Sequence, residues 1–225
     1  MSYKENYDFD SLGDEHIGTS LETPLRNDAF SLDDETKIQI IEDLFQQIMI
    51  TLGLDLNDDS LKGTPHRVAK MYVQEIFSGL KPDNKPVARA FTNNYKYQGM
   101  VVEKNINFSS TCEHHFVPII GHAHVAYIPN GNVIGLSKIN RIVNYYAKRP
   151  QVQERMTKQI LNELKSALNT DNVAVVIEAK HFCVHSRGIE DNTSTTTTSE
   201  FSGKFLDIET KKEFMGYVVN TLTKL

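Results

Sequence analysis

The residues Thr111-Cys112-Glu113-His114-His115-Phe116 hold the densest set of chemically capable side chains in the chain. Cys112 and His115 are three apart, a spacing at which one turn aims both at a single ion. Thiolate and imidazole are donors that zinc favours. A lone C-x-x-H is a modest signal, and the second cluster, His181-Phe182-Cys183, strengthens it. Cys183 offers a third ligand of the same kind. Residues two apart on a strand share a side, so a strand here predicts that His181 faces the cavity that Cys183 enters.

Three ligands leave the fourth position of a tetrahedral ion open. Structural zinc sites close all four positions, whereas catalytic sites keep one for water. Water held there has a pKa of about 7, so hydroxide is available at neutral pH. His114 and His181 stand outside the ligand set and are suited to proton transfer at that pH. The alternative is a closed structural site with His114 or His181 as fourth ligand, and spacing alone leaves both readings open. A disulfide between the two cysteines is disfavoured in a reducing cytosol.

Other polar groups fall in suggestive places. Ser137, Lys138 and Arg141 lie at a predicted helix start, where the positive end of the helix and two bases attract anions. An ordinary solvated face is the competing reading. Arg187 follows Cys183 closely enough to border the same cavity. Gln153 and Glu154 open another predicted helix. Glu154 either reads the donor-rich edge of a base or serves only as an acid at a helix N-terminus. Arg67 and Lys70, three apart, share a helix face. His122 and His124 alternate on a strand and read as surface or interface histidines. His16, His66 and His185 carry no clear signal.

The elements that position these residues follow from period and punctuation. Residues 1–30 are acidic and aperiodic and read as a mobile arm. Ser31 is the expected cap of a helix whose apolar stripe is Ile41, Leu44, Phe45, Ile48 and Leu52. Thr64-Pro65 opens the next, with Val68, Met71, Tyr72 and Ile76 buried and Gly79 as its stop. Residues 81–99 read as a connector. Strands are expected at 101–108 and 119–128, followed by a turn at 129–132. Ser137 caps a helix that Pro150 interrupts. A second helix buries Val152, Met156, Ile160, Leu164 and Leu168. Strands at 172–179 and, from its threonines, 193–205 precede a closing helix over 207–224. Residues 181–187 read as an irregular continuation or partner of the strand before them. This order predicts an α+β fold with a largely antiparallel sheet. It divides into an arm (1–30), a helical region (31–80) and a catalytic domain (81–225).

Bulk properties narrow the class. Residues 1–36 carry ten acids and two bases, and the remaining residues carry 19 acids and 22 bases. The body is therefore mildly basic, compatible with an anionic substrate but far from a typical nucleic-acid binder. No apolar run is long enough to span a membrane. The N-terminus lacks the pattern of a secretory signal, so the expected compartment is cytoplasmic.

Four separated segments then carry a resemblance: Thr-Cys-Glu-His-His-Phe (111–116), Gly-Leu-Ser-Lys-Ile-Asn-Arg (135–141), Arg-Pro-Gln-Val-Gln-Glu-Arg (149–155) and His-Phe-Cys-Val-His-Ser-Arg-Gly (181–188). In this order they closely resemble the GTP cyclohydrolase I family, from about residue 35 to the C-terminus. The resemblance implies conversion of GTP and water to formate and 7,8-dihydroneopterin triphosphate, the first step of tetrahydrofolate and pterin biosynthesis. It implies Zn2+ on Cys112, His115 and Cys183, with His114 and His181 as acid and base. It implies triphosphate contacts from Lys138, Arg141 and Arg187, with Ser137 near the ribose. Arg67 and Lys70 would be supplied by a neighbouring subunit, and Glu154 with Gln153 would read guanine. The implied architecture is the tunnelling fold, assembled as a toroidal homodecamer with sites at subunit interfaces. A related enzyme of the same fold and a zinc-stabilised nucleotide sensor are the rival readings. A nucleic-acid module is a distant third, because no basic stripe interleaved with aromatics is present.

Overall fold

A computed structural model describes residues 20–222. Residues 1–19, most of the expected arm, lie outside them. The helical region begins with α1 (Asp34–Thr51) and α2 (Thr64–Met71). The cap of α1 is Asp33 rather than Ser31, its carboxylate accepting the Thr36 N–H at 2.8 Å. Likewise Gly63, not Thr64, precedes α2, and Pro65 sits in the first turn, where its missing N–H costs nothing.

The first helix leaves much of its apolar face uncovered, and the second buries a different stripe from the expected one. On α1, Ile38 and Met49 are buried, whereas Leu44, Ile48 and Leu52 are 59%, 51% and 72% exposed. Period identifies an apolar face but not the surface that covers it. On α2 and its extension the buried residues are Pro65, Ala69 and Val73. The helix widens to a π turn over Tyr72–Ile76, which rotates later side chains away from the simple 3.6-residue register. Gly79 does more than end this segment. Its N–H donates to the Lys148 carbonyl at 2.9 Å. A Cβ there would stand 2.0 Å from the Tyr145 carbonyl oxygen and 2.8 Å from that of Lys148.

Within the expected connector, β1 (Ala90–Thr92) pairs antiparallel with β4 (Asn132–Ile134). The main sheet contains β2 (Val101–Cys112), β3 (Pro118–Tyr127), β5 (Pro150–Gln151), β6 (Val173–His181) and β7 (Thr196–Phe201), in the order β5-β2-β3-β6-β7. All neighbours are antiparallel except β5, which runs parallel to β2. The α+β, largely antiparallel expectation therefore holds.

Helices α3 (Leu136–Ala147) and α4 (Gln153–Leu168) cover one face of this sheet. Met156, Ile160, Leu164 and Leu168 are fully buried, as the period of α4 predicts. The residue before α3 is Gly135, so Ser137 lies inside the first turn rather than at the cap. A single turn, α5 (Phe182–His185), follows β6. On the opposite face, α6 (Ile208–Leu222) lays Phe214 and Val218 against Ala126, Ala174 and Val176. Among the described residues no helix is long and apolar enough to cross a membrane.

His124, expected at the surface or an interface, is buried within the chain itself. It is 1% exposed. Its Nδ1 accepts the Asn105 N–H at 3.5 Å, and its Nε2 has no partner among the described residues. Burial first, then the charges of His122 and Lys104, push its pKa down to about 4. Unfolded, the imidazole titrates at about 6.5. Between those values the unfolded chain holds more protons, so stability falls as pH drops. The shift corresponds to about 3 kcal/mol per chain. Urea unfolding at pH 7 and pH 4.5 checks this. The His124→Leu variant should lose less stability on acidification than wild type, and equal losses would rule His124 out as the source.

Candidate active site

The Cys112 segment is the end of β2 and the turn leading to β3. The turn is tied in three places. Cys112 N–H donates to the Val117 carbonyl at 2.8 Å, Phe116 N–H to the Cys112 carbonyl at 2.9 Å, and Glu113 N–H to the Gln151 carbonyl at 3.0 Å. Phe116 takes a left-handed φ of 53°, an uncommon conformation for a bulky residue that reverses the chain just after His115. Its ring packs edge-on against Phe77, with centroids 5.3 Å apart.

Cys183 arrives from the far side of β3, on α5. Because β6 ends at His181, strand alternation does not govern Cys183, and a helical turn aims its sulfur instead. The ligand atoms of Cys112, His115 and Cys183 all lie within 4.8 Å of one another, and the Cys112 Sγ to His115 Nδ1 distance is 4.0 Å. They form the only such metal-sized group among the described residues, and neither His114 nor His181 belongs to it. The donor chemistry fits a cation. Burial and the neighbouring Cys112 sulfur push the Cys183 thiol up, so two adjacent thiolates persist only with a positive charge between them.

His181 meets Gln153 through one ring nitrogen. The Gln153 amide nitrogen faces the Ile177 carbonyl at 3.2 Å, the Thr196 carbonyl at 2.9 Å and the Thr198 hydroxyl at 3.1 Å. With its nitrogen committed to oxygens, its Oε1 is the acceptor, and His181 Nε2–H donates to it at 2.7 Å. The second ring nitrogen of His181, Nδ1, is therefore the one left to exchange a proton. Burial lowers the His181 pKa, the Glu154 carboxylate opposes this, and His185 adds to the lowering. Gln153 is 1% exposed and fully engaged inside the protein. Its amide oxygen holds the His181 ring. Glu154, next to it, is exposed.

The remaining expected residues divide. Lys138 and Arg141 line one cleft beside α3, and Ser137 is exposed in the same turn. Arg187 is exposed just past α5, and its charge slightly favours the Cys183 thiolate. Arg67 and Lys70 are exposed on α2 and do not line that cleft. Arg67 donates to the Ser60 carbonyl and the Thr64 hydroxyl. His185, unassigned by sequence, bonds the Ser194 carbonyl at 3.0 Å and so closes the loop after α5.

One element of the site gave no sequence signal. Arg155, whose side chain is 3% exposed, makes a bidentate pair with Glu113, Nη1 to Oε2 at 2.5 Å and Nη2 to Oε1 at 3.1 Å. Its Nε donates to the Ser20 carbonyl at 2.8 Å, and Gln159 donates to the Leu21 carbonyl at 3.0 Å. Residues 20 and 21 are thus held on α4, and the cysteine turn is clamped to the helix that carries Gln153.

Known proteins match this sequence over most of its length. Residues 41–219 fit the family described as GTP cyclohydrolase I. A protein of Flavobacterium johnsoniae named GTP cyclohydrolase 1 is 62% identical over 214 residues, covering 95% of this chain and 96% of the relative. One of the same name from Citrobacter koseri is 54% identical over 200 residues, covering 88% and 90%. A solved apo structure of an archaeosine synthase QueF-like protein aligns with 46% of this chain and 93% of its own, at 21% identity and a TM-score of 0.39. On the family match and the two long, closely similar relatives, the chain belongs to the GTP cyclohydrolase I family.

Proposed function

We propose that the chain converts GTP and water to formate and 7,8-dihydroneopterin triphosphate, with zinc as the metal. The observation that carries this reading is the convergence of Cys112, His115 and Cys183 from two separate segments. Zinc held by three protein ligands supplies a water of lowered pKa at its fourth position. The protein's own residues do the rest. His181, oriented by Gln153, exchanges a proton with the purine through Nδ1, and His114 serves as its partner beside the cysteine turn. Glu154 accepts hydrogen bonds from the donor edge of guanine. Lys138, Arg141 and Arg187 hold the triphosphate and keep the base in register with the metal. Ser137 meets the ribose.

Arg67 and Lys70 complete the phosphate site from a neighbouring subunit of a toroidal homodecamer working in the cytoplasm. The exposed Leu44, Ile48 and Leu52 support assembly, since apolar area of this kind is normally covered by a partner.

The test is to incubate purified protein with GTP, with and without prior zinc chelation, and to follow formate and pterin product together, with light scattering on the same sample. Both products, lost on chelation and restored by zinc, are expected from a large oligomer. Stoichiometric zinc without turnover would instead favour a nucleotide-sensing protein. A fully active monomer would overturn the shared site.

A further inference from the structure

One side of α3 is a basic stripe. Lys138, Arg141 and Tyr145, with Lys148 just past the helix end, follow a spacing of three, four and three residues and line one cleft of about 480 Å3. Ser78, Gly79, Asn84, Pro86 and Val87 form its other wall.

The cleft is rigid and of one sign. Gly79 fits so closely against the α3 carbonyls that no side chain is tolerated there. Tyr145 hydroxyl donates to the Lys81 carbonyl at 3.4 Å, and the Asn84 amide to the Ser78 carbonyl at 2.8 Å. No carboxylate lines the cleft. The chain carries more acids than bases, and Lys81, Lys85, Lys158 and Lys165 each find an acidic partner. Lys138, Arg141 and Lys148 find none among the described residues, although both lysines are half-buried. Half-buried cations gathered without a counter-charge favour an anion.

The stripe is longer than one ligand group. Lys138 and Lys148 are ten residues apart, about 15 Å along a helix. Arg141 and Lys148 are seven residues, about 10 Å, apart, so a triphosphate centred between Lys138 and Arg141 leaves Lys148 as the outermost base of the cleft.

We propose that Lys148, with Asn84 and Asn144 lining the same cleft, forms a second phosphoanion subsite at the end of α3. The division of the cleft rests on the reading that Lys138 and Arg141 hold the substrate triphosphate. The ligand is a small phosphorylated molecule or inorganic phosphoanion distinct from the bound GTP.

Calorimetric titration of the zinc-loaded full chain with inorganic pyrophosphate, at fixed ionic strength, tests this beside GTP kinetics. Lys148→Glu should weaken pyrophosphate binding about tenfold or more, the scale of one charge-assisted contact. It should leave the KM for GTP within about twofold, since only a distant charge is altered. Arg141→Ala separates the two claims. It should raise the KM for GTP and spare the Lys148-dependent binding. An unchanged KM in Arg141→Ala would fault the substrate reading and leave the second subsite standing. Equal pyrophosphate affinity in wild type and Lys148→Glu would overturn the subsite. A Lys148→Glu KM raised as far as that of Arg141→Ala would also overturn it, by placing Lys148 on the GTP triphosphate.

Discussion

Replacing Cys183 with alanine should remove bound zinc and GTP turnover together, the latter by more than about a thousandfold, or about 4 kcal/mol of barrier. The cysteine is the sole ligand contributed by the 181–188 segment, and the two that remain, Cys112 and His115, sit on one turn. A chelate of two donors lacks the third point that fixes an ion in a shaped site. The fold should survive, because Cys183 is only half-buried at the rim of the main core. Metal analysis and formate release on the same preparation decide the matter, with circular dichroism as the control for folding. Turnover without metal would sink the scheme. Zinc retained at full occupancy with turnover lost would remove Cys183 from the ligand set while keeping it in the site.

That Cys112, His115 and Cys183 come together was readable because the signal is chemical and local. Cysteine and histidine three apart on a turn look alike in sequence and in space, and a second Cys next to a His raises the same suspicion. The placement of Cys183 on a helical turn was not readable. It depends on where β6 stops, and one residue decides whether Cys183 is governed by strand alternation or by a helical turn. Helix starts slipped by one or two residues for a related reason. Near Asp33, Gly63 and Gly135 several neighbours are competent caps, and tertiary packing chooses among them. The stripe of α4 is buried from Met156 to Leu168 because one sheet covers it, while Val152 caps the helix and is half-buried. The apolar face of α1 is present but stays exposed at Leu44, Ile48 and Leu52, because no described residue covers them.

What sequence could not supply at all is the polar wiring behind the site. Gln153 and Arg155 open α4, and each is an ordinary residue for a first helical turn. Only β7, folded back beside α4, brings the Thr196 carbonyl and Thr198 hydroxyl that hold the Gln153 amide. Those contacts are separated by more than forty residues in sequence, so no local pattern announces them.

The Glu113–Arg155 pair makes the second large prediction. Glu113→Ala leaves a guanidinium that is 3% exposed without its carboxylate. Breaking a buried pair in this way costs about 3–5 kcal/mol, a large share of the ~5–15 kcal/mol that holds a typical domain together. The cost should appear in two places. Thermal unfolding of the variant should begin at lower temperature. Zinc should also bind more weakly, because the Cys112 turn loses the clamp that ties it to α4. The double variant Glu113→Leu/Arg155→Met separates these effects. It removes both charges, so most of the stability should return, as apolar replacements of buried pairs often show. The zinc affinity should stay low, because no directional bond is restored. If the single variant loses less than about 1 kcal/mol, the pair behaves as a solvated surface bridge, and the clamp is not what fixes the turn. If the double variant regains metal affinity along with stability, packing alone positions Cys112 and His115, and the charge pair adds nothing specific to the site.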